Sequence, residues 1–197
     1  MSSRIFVLAS LILGASSAHA VVPPPLTVEY SADRRIESAE RTIDGRVAAA
    51  PGMERSELNM GGMSAVMILR TDRKLSWMVM PAQRMYQETD FAQAAQQTGT
   101  VAADQVELEV VGNETVSDLV TTKYKFVSKD RSSGGFLWYS ADGIPVKMDL
   151  LSKDGGDKSR TTVTLRNIKV GPQDRTAFEV PAGFSKLPGG GMFRSAR

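Results

Sequence analysis

The only histidine, His19, lies within the first twenty residues, and the 197-residue chain has no cysteine. Everything after His19 must therefore work without imidazole or thiol. Ser-His-Asp and Cys-His nucleophilic sites are excluded, as are His- or thiolate-bound zinc, His-ligated haem and Cys-held iron–sulfur clusters. Gly62-Met63-Ser64-Ala65 starts like a nucleophile elbow, but the glycine after the serine is missing and no base could serve it. No phosphate-loop or dinucleotide glycine pattern occurs. Carboxylate pairs remain, and two acids could run glycoside hydrolysis. Yet the 22 Asp and Glu fall mostly in turns or on polar phases of alternating segments, where solvent accounts for them. Asp154-Gly155-Gly156-Asp157 offers two carboxylates where Ca²⁺ wants roughly six to eight oxygens, and reads as a turn. The expectation is a protein that is not an enzyme, with no cofactor and no metal.

Methionine is the enriched type. Met53, Met60, Met63, Met67, Met78, Met80 and Met85 crowd into one stretch. Flexible and polarisable, Met fills irregular cores and also lines surfaces that accept varied shapes. Three readings stay open: ordinary packing of adjacent strands, a groove for lipid or peptide, and a thioether Cu(I) site at Met60-x-x-Met63 and Met78-x-Met80.

The elements that must position these residues are mostly strands. Residues 1–20 carry Arg4, the apolar run Ile5–Gly14 and Ala18-His19-Ala20, the three parts of a cleavable signal peptide. The run is too short for a membrane span. Without residues 1–20 the chain holds 23 basic against 22 acidic side chains, which gives no electrostatic case for nucleic acid. Lacking cysteine, the exported chain cannot be acylated on one and must be stable without disulfides. A soluble, periplasmic protein is expected.

Pro23-Pro24-Pro25 bars a helix. Leu26–Tyr30 alternates as a strand, and Asp44-Gly45 signals a hairpin between 35–43 and 46–50. Pro51-Gly52, Gly61-Gly62, Thr71–Lys74, Ala141-Asp142-Gly143 and Asp154–Asp157 punctuate further strands. Gln105–Val111 alternates, with Val106, Leu108 and Val110 facing inward. Val120–Val127 places Val120, Tyr124 and Phe126 together. Thr161–Val170 slips phase between Leu165 and Ile168, as a β-bulge would make it do. One short helix is expected over 90–98, from Thr89-Asp90, Gln93 and Gly99. The pattern gives about ten antiparallel strands. One domain is expected over 21–187, followed by a flexible tail, 188–197.

Trp77-Met78-Val79-Met80-Pro81 with Tyr86, Gly143–Met148, Phe178–Phe184, and Gly112, Glu114, Val116, Lys123 and Tyr124 between them resemble the outer-membrane lipoprotein carrier (LolA-like) superfamily of exported bacterial proteins, over residues 27–187. The resemblance implies a mainly β fold, a strongly curved antiparallel sheet or half-barrel. One or two short helices would cover its concave face. It also implies a non-enzymatic carrier that shelters a lipid, acyl chain or lipidated partner in an apolar cavity. Met67, Leu69, Trp77, Val79, Phe126 and Trp138 are the candidate lining residues. Two departures stand out: Pro23–Pro25 replaces the carriers' opening amphipathic helix, and Asp118 stands where relatives often place Gly. The alternative is an envelope-stress or protein-interaction domain using a sheet edge or the same cavity. An outer-membrane barrel would need two aromatic girdles, which four Tyr, seven Phe and two Trp do not form.

Overall fold

The computed structural model describes residues 21–60, 63–90, 106–154 and 157–187. The signal-like segment 1–20, most of the expected helix at 90–98, the Gly155-Gly156 turn and the tail 188–197 lie outside the described residues. Among the described residues, twelve strands form one sheet: β1 Tyr30–Ser38, β2 Thr42–Ala50, β3 Met53–Met60, β4 Met63–Arg70, β5 Leu75–Met80, β6 Met85–Asp90, β7 Val106–Val116, β8 Leu119–Ser128, β9 Ser133–Ser140, β10 Pro145–Asp154, β11 Asp157–Val170 and β12 Ser185–Lys186. Their order is β12-β6-β5-β4-β3-β2-β1-β11-β10-β9-β8-β7, and the sheet does not close into a barrel. Two antiparallel meanders, β1–β6 and β7–β11, join where β1 pairs with β11. Only the two-residue β12 is parallel to its neighbour, β6.

Several elements differ from the sequence reading. Leu26–Val28 packs against the core but carries no ladder, and β1 begins at Tyr30. Asp44-Gly45 does not turn; both residues lie inside β2. Gly45 is needed there because a Cβ would sit 2.1 Å from the Glu57 carbonyl oxygen on β3. Asp44 instead accepts from Arg35 Nε across the ladder at 2.7 Å. Thr89 and Asp90 end β6 rather than cap a helix. Val120 is 71% exposed although Tyr124 and Phe126 are buried. The Thr71–Lys74 hairpin stands as read, and so does the slip in β11: Ser31 faces Lys169 while Asp33 faces Arg166, with Asn167 at φ +52°. At the β7–β8 turn Ser117 and Asp118 take φ of +48° and +64°, so Asp118 does supply the left-handed conformation.

The register sorts side chains onto two faces. The inner face carries Tyr30, Ala32, Val47, Ala49, Val146 and Leu165, buried together with Ile144. The outer face of β2, β4 and β5 carries Ala50, Val66, Ile68, Trp77 and Val79, buried beneath Phe178. Residues 172–184 run over this outer face, and β12 then joins the edge of the sheet beside β6. A short 3-10 turn at Arg175–Phe178 begins the cover; Asp174 caps it by accepting from the Thr176 N–H. The Arg70 guanidinium, nearly buried, holds the segment: it pairs with Asp72 (2.7 Å) and Glu179 and donates to the Phe178 carbonyl oxygen at 3.4 Å. The helical cover seen among the described residues therefore lies on the outer face, not in the hollow.

Candidate functional site

The sheet bends enough to bring distant strands together around its inner face. Leu69 on β4 and Tyr139 on β9 stand six strands apart in sheet order, about 29 Å on a flat sheet. They nevertheless line one cavity of about 230 Å³, together with Pro24, Leu26, Tyr30, Ala49, Glu54 and Pro145. At the far side, Ser117 Oγ from the β7–β8 turn donates to the Leu165 carbonyl oxygen at 2.6 Å, and Val116 and Leu119 pack on the inner core. The inner face is thus concave.

Beyond the cavity the concave face stays apolar and only half-buried. Met67 lies directly across from Met78, and Met80 from Met85. Leu137 pairs with Met148, and Leu150 and Val163 extend the same face. Half-burial of so many large apolar residues leaves hydrophobic area that association can still cover.

An ion-paired polar group interrupts this surface. Arg34 Nη2 meets Glu54 Oε1 at 2.8 Å, Arg34 Nη1 donates to Ser56 Oγ at 2.5 Å, and Ser56 Oγ donates to Glu54 Oε1 at 2.8 Å. Arg34 Nε is buried without a hydrogen-bond partner among the described residues. The Glu54 charge is felt across the hollow: burial first, then Glu54, pushes the Tyr30 and Tyr139 phenols above the usual tyrosine range. Tyr139 also meets Tyr124 edge-on at 6.2 Å. Nothing in the alternation of β1 and β3 singled this group out; an arginine on an apolar phase, between Ala32 and Ile36, was the available signal.

The six sequence-derived residues divide between the faces. Met67, Leu69 and Phe126 belong to the concave face, where Leu69 lines the cavity and Phe126 is buried. Trp77 and Val79 are buried on the outer face under Phe178, where Trp77 Nε1 donates to Glu88 Oε2 at 3.0 Å. Trp138 also points outward, donating to Glu114 Oε2 at 2.7 Å with Lys123 and Lys147 over its ring. Met53 packs on the outer core, and the Met60 and Met63 side chains lie outside the described residues. No cluster of three or more His, Cys, Asp or Glu able to hold a metal occurs among the described residues. Among them, no helix is long and apolar enough to cross a membrane.

An open, strongly bent antiparallel sheet with an apolar hollow is the class of protein these features define. A family model described as a domain of unknown function (DUF4412) matches residues 46–142, from within β2 to the β9–β10 turn. No curated protein matches the chain. Among solved structures, the chain is similar to an uncharacterized conserved protein from Thermus thermophilus, with 15% identity, 82% of this chain and 91% of that one covered, and a TM-score of 0.57. The complex of Pseudomonas aeruginosa MucA/MucB matches at 13% identity over 78% of this chain and 56% of that chain, TM-score 0.48. A putative outer membrane lipoprotein-sorting protein domain from Vibrio parahaemolyticus matches at 8% identity, over 76% and 89%, TM-score 0.34. At its level of identity the first likeness is one of fold alone.

Proposed function

We propose that this chain is a non-enzymatic binding protein of the bacterial periplasm, exported through residues 1–20, that shelters the apolar chain of a lipid or lipidated partner in its concave face. The observation that supports this most is the hollow itself: Leu69 and Tyr139, six strands apart, share one apolar cavity, and half-buried methionines, Met67 and Met78 among them, extend the same face. Each CH₂ taken from water into such a surface gains about 0.8 kcal/mol. A chain of roughly eight carbons would thus gain about 6 kcal/mol before ordering costs. Methionines suit a chain of variable length because their own side chains adapt. No group in this reading has to make or break a bond.

Native mass spectrometry of the protein purified from a periplasmic extract, followed by titration with a fluorescent fatty acid, tests the reading. A co-purified lipid or saturable uptake, weakened at least ten-fold by Leu69→Glu, is expected. A clean apo mass with no uptake would overturn it.

The sheet edge favours a second reading. β7 is the last strand in the order among the described residues and leaves one ladder side without a described partner, with Val110 and Val111 about half exposed. An extended segment of an envelope protein could add a strand there. A co-purified polypeptide in the same spectrum would favour it.

A further inference from the structure

The outer face carries a second groove, far from the C-terminal cover. About 400 Å³ in volume, it lies where the β8–β9 and β10–β11 hairpins end side by side. Val127, Phe136 and Leu151 give it an apolar floor, and Leu151 is 52% exposed. Lys125, Arg131, Lys153 and Lys158 ring that floor, and no carboxylate lines it among the described residues. The register places Lys125 beside Phe136, and Lys153 beside Lys158, on this same face.

The neighbouring surface shows what the groove omits. Two positions away along the same strands, Lys123 has its carboxylate in Glu114 at 2.8 Å and Arg160 has Asp149. Inside the groove no such pair forms among the described residues. Asp130, the nearest acid in the β8–β9 turn, is turned back: it accepts from the Ser132 N–H at 2.9 Å and Ser132 Oγ at 2.8 Å. Four cations around exposed apolar side chains complement a surface that is both anionic and oily.

We propose that this groove is where the protein touches an anionic lipid surface. The floor gives the headgroup–acyl boundary something to cover, and the flexible lysines reach outward to phosphates. Besides the four cations, the polar side chains of the lining are those of Ser132, Ser133 and Ser152. The site is on the opposite face from the hollow and stands whether or not the hollow takes a chain.

Co-sedimentation of the full chain with phosphatidylglycerol or phosphatidylcholine vesicles, at about 50 mM and about 500 mM salt, tests it. Binding to the anionic vesicles alone, lost at high salt, is expected. Each cation is worth about a five-fold change in partitioning, so Lys153→Ala with Lys158→Ala should weaken binding about 25-fold. Leu151→Ser should weaken it while leaving the salt dependence in place. Both changes are on exposed side chains, and an unchanged thermal melt confirms the fold. No binding at low salt, equal binding to both lipids, or a double variant that binds like the parent would each overturn the proposal.

Discussion

Phe178 is the most informative single side chain for how the C-terminal segment is held. It is fully buried although it comes from outside the sheet, and it rests on Ala50, Val66, Ile68, Trp77 and Val79. Phe178→Ala removes a whole ring from a surface that cannot collapse, because the strands beneath are fixed by their ladders. A buried Phe→Ala change costs about 3–5 kcal/mol. For a chain of this size each kcal/mol lowers Tm by about 2–4 °C, so the expected drop is about 6–20 °C. Urea unfolding followed by tryptophan fluorescence reads it directly, since Trp77 lies under the ring. Phe178→Leu, which keeps most of the volume, should cost less than about 1.5 kcal/mol. A Phe178→Ala loss below about 1 kcal/mol would show that residues 172–184 are only loosely laid on the sheet.

Further outcomes follow from the backbone and the charges. Gly143 sits at φ +80°, and a Cβ there would lie 2.2 Å from the Pro25 carbonyl oxygen; Gly143→Ala should therefore destabilise by at least about 2 kcal/mol in a thermal melt. Tyr30 has its phenol pushed up in the fold, so its contribution is complete below about pH 10 and fades as pH rises further. Alkaline unfolding should be blunted in Tyr30→Phe. The Lys186 ammonium, then the Trp77 indole N–H, hold the Glu88 carboxyl below its usual range. Its contribution is present above the ordinary Glu pKa and lost as pH falls through the lowered one, so Glu88→Gln should flatten the acid side of a stability–pH curve measured by urea midpoints.

What the sequence disclosed was set by local chemistry. The apolar runs Met63–Arg70 and Leu75–Met80, joined by the turn formers Thr71–Lys74, are strands where they were expected, because both faces of these strands carry apolar side chains. The bulge in β11 was visible as a slip of apolar phase. Asp44-Gly45 misled because a glycine can serve close strand approach as well as a turn, and the deciding atom, the Glu57 carbonyl oxygen, comes from a different hairpin. The candidate lining residues split between faces for a related reason: Trp77 and Trp138 are large and apolar, but type does not say which side of a sheet a residue takes. Both indoles found carboxylates on the outer face, Glu88 and Glu114, and those partners are invisible without the cross-strand register.

The pairing of β1 with β11 sets a condition on how the protein forms. Tyr30 meets Val170, so the two meanders are joined by the first and the last long strands of the described residues. Either meander can fold on local hairpins, but the hollow needs both, and closing so long a loop is entropically slow. Such a molecule stays incomplete, and threadable, until its last long strand arrives.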